Sequence, residues 1–120
     1  MRIAVYLIKS IVIAVIKMET SIFCVAPPKA KITKLDQSVL VGSPVTLKCI
    51  ATGNPEPTIS WNRNGQIVIE NKRIKVSDRS LIILESKTTD TGSYSCVAQN
   101  TEGLDFASAH VLVGSKYDLF

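Results

Sequence analysis

The stretch Asp90-Thr91-Gly92-Ser93-Tyr94-Ser95-Cys96-Val97-Ala98-Gln99-Asn100 reads as a corner followed by a strand. Tyr94, Cys96 and Ala98 fall at alternate positions, and a strand of period two puts them on one face, with Ser93, Ser95 and Val97 on the other. Asp90-Thr91-Gly92, just ahead of them, carries turn chemistry. Toward the N-terminus the same alternation recurs in Val45, Leu47, Cys49 and Ala51, separated by Thr46, Lys48 and Ile50, and again in Ile59 and Trp61. Leu81 and Ile83 repeat it, as do Ala107, Ala109, Val111 and Val113. Each run has one dry and one wet face, which suits two antiparallel sheets packed face to face, and no helical stripe competes.

The links between these runs are equally specific. Asn64-Gly65 stands between the Trp61 run and Gln66 to Ile69, and both residues tolerate the positive φ of a tight hairpin turn. Gly53-Asn54-Pro55-Glu56-Pro57 separates the Cys49 run from the Trp61 run, its two prolines stiffening a link that crosses between sheets. Internal repeats and low-complexity tracts are absent, so the sequence holds one copy of the unit.

Cys49 and Cys96 lie 47 positions apart, Trp61 follows the first by 12, and Tyr94 precedes the second by two. This spacing, with Asp90-x-Gly92-x-Tyr94-x-Cys96, Ser80-Leu81-Ile82-Ile83 and Val97-Ala98-x-Asn100-x-x-Gly103, resembles the intermediate set of the immunoglobulin superfamily from about Lys29 to Val113. The wording is similar to ectodomain modules of receptor kinases, receptor phosphatases, Roundabout-type guidance receptors and Dscam-like adhesion molecules. The resemblance implies an all-β, immunoglobulin-like antiparallel β-sandwich with one inter-sheet disulfide between Cys49 and Cys96. It also implies structural roles for Trp61 over the bridge, for Tyr94 at the corner, and for Leu81, Asp90 and Gly92. Asp90 and Arg79 are expected to brace that corner as a pair.

Composition agrees with one foldable domain: 120 residues, 46% hydrophobic and 20% charged. Met1 to Ala26 forms an apolar stretch with Arg2 near its start and Ile11 to Ile16 as its longest uninterrupted run. It resembles a secretory signal cut after Ala26 more than a membrane span, because Lys9 and Lys17 break the run well below the roughly 20 apolar residues a crossing helix needs. A mis-assigned start is the alternative. The expected organisation is residues 1–26 as signal, 27–115 as the domain and 116–120 as a short tail. Without Arg2, Lys9, Lys17 and Glu19, 11 basic and 9 acidic residues remain, too even a balance for a nucleic-acid binder. Lys72, Arg73 and Lys75 form a local basic cluster that could touch a glycosaminoglycan or a phospholipid.

Cysteine usage points to an oxidising compartment, with Cys24 a third thiol if the leader is retained. No Asn-x-Ser/Thr sequon occurs at Asn54, Asn62, Asn64, Asn71 or Asn100. His110 is the one imidazole and has no motif partner, and the glycines are scattered at turns rather than grouped as a phosphate loop, so no enzyme activity, metal or cofactor is expected. Function then resides in surfaces. Outward parity places Val97, Gln99, Leu104 and Phe106 together as a candidate protein-binding face, and the loops Thr52 to Pro57 and Asn100 to Gly103 form a second candidate. These features lead to an extracellular or cell-surface recognition module, acting on a protein partner or on a second copy. The competing readings are an intracellular structural module of muscle filaments, and a piece of a larger receptor.

Overall fold

The computed structural model describes residues 24–77 and 79–115. Among the described residues the strands are β1 (Ala26–Ile32), β2 (Asp36–Leu40), β3 (Val45–Asn54), β4 (Thr58–Arg63), β5 (Gln66–Ile67), β6 (Ile74–Val76), β7 (Ser80–Ile83), β8 (Gly92–Asn100) and β9 (Gly103–Gly114), with a 3-10 turn at Thr88–Asp90. They form a four-stranded sheet in the order β1-β3-β7-β6 and a five-stranded sheet in the order β2-β9-β8-β4-β5. Among the described residues no helix is long and apolar enough to cross a membrane.

The inward parity read from the sequence is the parity of the core. Val45, Leu47 and Cys49 on β3, Leu81 and Ile83 on β7, and Tyr94, Cys96 and Ala98 on β8 are all buried. Trp61 from β4 and Ala109, Val111 and Val113 from β9 join them. Ala51, Ile59 and Ala107, expected inward as well, are half-buried because their runs approach the ends of the sheets. The disulfide joins Cys49 to Cys96 across a Cα separation of 6.4 Å. Trp61 is the cross-strand neighbour of Cys96, so its ring lies in the plane of side chains that contains the bridge. Closing a loop of this size restricts the unfolded chain by roughly 4 kcal/mol in the entropy account, a large share of the stability of a small domain.

Asn64-Gly65 makes the expected hairpin, with φ of 49° and 87°, and joins β4 to β5. The Asn64 carboxamide also reaches across the sheet, its oxygen accepting from the Ser93 N–H at 3.0 Å. This explains Gly92, since a Cβ there would stand 2.9 Å from the Asn64 side chain. The Asn54-Pro55 peptide, where β3 passes into the link to β4, is cis.

Two features depart from the sequence reading. The sheets are not wholly antiparallel, because β2 runs parallel to β9, from Asp36 beside His110 to Leu40 beside Gly114. Pro27 and Pro28, just past the expected cut, lie within β1, where Pro28 is buried and Ala26 pairs with Asn54. The proposed division after residue 26 therefore falls inside a strand. The rest of the expected leader and the 116–120 tail lie outside the described residues, while Cys24 is exposed and free.

Candidate interaction surface

Outward positions on the five-stranded sheet bring the four predicted contact residues together. Val97 on β8 is directly opposite Phe106 on β9, and Gln99 is opposite Leu104. Phe106 and Leu104 are 61% and 58% exposed, while Val97 is half-buried beneath its neighbours. Beyond Val97 lies Ser60 of β4, and beyond Gln99 lies Thr58. Further along, the Ser95 and Ser108 hydroxyls bond each other at 2.7 Å, which gives the middle of the face a fixed polar rung. Ile67 on β5, beside Asn62, and Leu112 on β9, beside Ser38, extend apolar exposure toward the two edges. The strand positions on this face carry no lysine or arginine, and Asp36, next to His110, is its acidic side chain.

An exposed aromatic ring on a rigid, nearly uncharged sheet can lose its hydration without stranding a charge. That is the physical profile of an interface centre. His110 is exposed at the far end of the same strand and contributes to no cluster of metal-ligating groups, of which the described residues contain none.

The loop end offers less free chemistry than the sequence suggested. Asn100 donates from its Nδ2 to the carbonyls of Ala26 and Pro55, both at 2.9 Å, and its Oδ1 accepts from the Glu102 N–H at 2.8 Å. Asp105 accepts from the Ala30 N–H at 2.7 Å. These side chains lash β1 to the second sheet and hold the proline link, so they serve the scaffold.

At the opposite end the corner is built as expected except for its cation. The Tyr94 hydroxyl donates to the Asp90 carbonyl at 2.5 Å. Asp90 is paired with Arg73, not Arg79: its two carboxylate oxygens accept from Arg73 Nη1 at 2.6 Å and Nη2 at 3.0 Å, and the Lys87 N–H adds a bond of 2.7 Å. Arg79 instead reaches Glu56 at 3.3 Å, where both side chains are exposed. Burial alone would raise the Asp90 pKa, but the Arg73 fork and the Lys87 N–H outweigh it and hold the carboxyl below its ordinary range. The pair in turn raises Arg73, and burial pushes the Tyr94 phenol up. The predicted basic cluster of Lys72, Arg73 and Lys75 thus loses its middle member to a structural pair.

An open cleft of about 500 Å³ near this end is lined in part by Arg63, Gln66, Ile67, Ile69, Ile74 and Tyr94. Arg63 is its cation, and Nη2 of that side chain donates to the Thr89 carbonyl. Among the described residues lining it, no nucleophile stands beside a base.

Residues 27–100 match the immunoglobulin domain family. Human hemicentin-1 is 32% identical over 100 residues, 82% of this chain and 2% of that protein. Roundabout homolog 1 of Rattus norvegicus is 37% identical over 89 residues, 72% of this chain and 5% of that protein. The sequence thus spans a small fraction of the length of these relatives. Among solved structures, titin domains Z1Z2 in complex with telethonin superpose with a TM-score of 0.69 at 33% identity, covering 77% of this chain and 49% of that one. The chain belongs to the immunoglobulin domain family, as a non-catalytic module related to extracellular adhesion and guidance proteins.

Proposed function

We propose that this domain is an extracellular or cell-surface recognition module that binds a protein partner through the Val97, Gln99, Leu104 and Phe106 face. The observation that carries the reading is Phe106, 61% exposed on a sheet face whose neighbours are apolar or uncharged. Burying such a ring contributes about 2 kcal/mol or more, enough to anchor an interface whose surrounding contacts are nearly neutral. The kinship with hemicentin-1 and Roundabout homolog 1 supports placement outside the cell, as does the disulfide. A leader within residues 1–26 would supply the route.

The partner is a cell-surface protein or a second copy of the domain. A binding screen of the secreted domain against surface proteins, and against itself, tests the reading when repeated with Phe106→Asp. A partner whose affinity falls at least tenfold supports it. A partner bound equally well by both forms would move the interface elsewhere.

The likeness to titin supports a second reading, an intracellular filament module. Thiol titration separates the two: protein from its native compartment should show Cys49 and Cys96 oxidised in the first case and reduced in the second.

A further inference from the structure

We infer that the outer face of the four-stranded sheet is a second binding surface, whose ligand is a sulfated glycosaminoglycan chain. The inference rests on the extracellular reading for the identity of its ligand but uses a different face from the protein contact. Parity again supplies the geometry. On β1 the outward residues are Lys29 and Lys31, and Lys31 lies opposite Ile50 of β3 while Lys29 lies opposite Thr52. Lys48 is two residues from Ile50 on β3 and opposite Ser80, and Lys75 of β6 is opposite Ile82. All four lysines are exposed.

The outward strand positions of this sheet carry no carboxylate among the described residues. Acidic side chains lie elsewhere: Asp36 is on the other sheet, Glu56, Glu70, Glu85 and Glu102 are in links, and Asp90 and Asp105 are committed to bonds that hold the scaffold. Among the described residues ion pairs engage Arg73 and Arg79, and neither pair uses one of the four lysines.

Strand spacing of about 4.8 Å and a repeat of about 6.7 Å between alternate residues put Lys29 about 7 Å from Lys31, and Lys31 about 8 Å from Lys48. By the same spacing Lys75 is about 12 Å from Lys48, and the array runs obliquely over about 25 Å. A flat, extended array of positive points suits a linear polyanion with regularly spaced charges. Lysine pairs with a sulfate as a point charge, without the planar fork through which arginine reads a base or a carboxylate.

Two other polyanions fit less well. The described strand positions of this face carry no aromatic ring on which a nucleobase could stack. Anionic phospholipid is concentrated on cytoplasmic leaflets, so an extracellular domain meets its polyanion as carbohydrate. Ile50, 49% exposed between Lys31 and Lys48, offers an apolar bed for lysine stems and is too isolated to insert into a bilayer.

The test is binding of the secreted, disulfide-bonded chain to immobilised heparin, with desulfated heparin, phosphatidylserine vesicles and duplex DNA as parallel probes. Heparin should be bound at 150 mM salt, with log affinity falling linearly against log salt. The triple variant Lys31→Glu/Lys48→Glu/Lys75→Glu should lose at least tenfold in affinity and flatten that slope by about two to three units. The triple Lys34→Glu/Lys72→Glu/Lys87→Glu, with the same change in net charge away from the face, should stay within threefold. Lys→Gln versions of both triples guard against a folding artefact, and far-UV spectra should match across the set.

Equal losses in the two triples would reduce the effect to net charge and overturn the proposal. So would equal binding to desulfated heparin, tighter binding to vesicles or DNA, or no binding to heparin at all. Phe106→Asp should leave heparin binding unchanged, which separates the two surfaces. If the protein proved intracellular while the face-specific loss persisted, the extracellular reading and this choice of ligand would fail, and the charge array alone would stand.

Discussion

The outer faces of the two sheets differ far more than their inner faces do. Inside, both contribute alternate apolar residues to one core, and Cys49 from one meets Cys96 from the other. Outside, the β1-β3-β7-β6 sheet carries Lys29, Lys31, Lys48 and Lys75, whereas the five-stranded sheet carries serines, Thr58 and an exposed Phe106. The sandwich constrains every second residue and leaves the others free. Separation of charge from apolar exposure on those free positions is therefore information about binding rather than folding.

Removing what the two sheets share should have the largest effect. Cys49→Ala/Cys96→Ala is expected to cost roughly 3–5 kcal/mol, enough to leave the domain largely unfolded at 37 °C if its total stability is ordinary. Chemical denaturation under oxidising conditions, wild type against variant, measures the loss. A cost below about 1 kcal/mol would show that the core holds the sheets together without the covalent bridge.

The corner comes next, and it belongs to both sheets: Arg73 precedes β6 and Asp90 precedes β8. Asp90→Asn leaves the Arg73 charge without its partner and should cost about 2–4 kcal/mol. The folded Asp90 pKa is depressed, so its contribution is present above the unfolded carboxyl range near 4 and is lost as pH falls through the folded value. The stability gap between wild type and Asp90→Asn should accordingly narrow on acidification from about pH 5. Tyr94 acts in the opposite direction, because its raised pKa favours the neutral phenol and its contribution fades as pH rises beyond about 10.

Why the sequence yields Asp90 but not its partner is instructive. The strands follow from local periodicity, while the bridge, the indole and the tyrosine corner come from the family resemblance that their spacing carries. The Arg73 pairing depends on which end of a hairpin meets which corner. With β6 and β7 paired so that Ile74 faces Ile83, the Leu84 N–H bonds the Arg73 carbonyl, and Arg73 stands at the Asp90 end. Arg79, at the start of β7, is a strand length away. The turn between Val76 and Ser80 holds that signal, since folding the chain back there sets residue 73 against residue 84. The parallel strand β2 was hidden for a related reason: Asp36-Gln37-Ser38-Val39-Leu40 is short and mixed, and its place is set by β9 rather than by its own pattern. The grouping of Val97, Gln99, Leu104 and Phe106 on one outward face was legible because parity alone decides it. The lysine array needed the register of four strands at once.

A smaller effect on stability is expected from the exposed face that carries Phe106. Phe106→Asp should alter unfolding free energy by no more than about 0.5 kcal/mol, since the ring lies mostly in water in the free domain. The same change should weaken partner binding at least tenfold. A large loss of stability would instead mark Phe106 as part of the scaffold and remove the contrast between the faces.

The smallest effect sharpens the contrast from the other side. Lysines crowded on one face repel one another, so Lys48→Gln, which removes a charge close to Lys31, should raise the melting temperature by about 1–2 °C at 10 mM salt. Lys87→Gln, outside the array, should not. At 500 mM salt the screening length shrinks to a few ångströms and the difference should vanish. A rise at low salt that disappears at high salt means the lysines stand together at a cost in folding, the mark of a surface kept for an anionic ligand. Equal behaviour of the two variants would mean the lysines do not sense one another, and the face would be ordinary solvated surface.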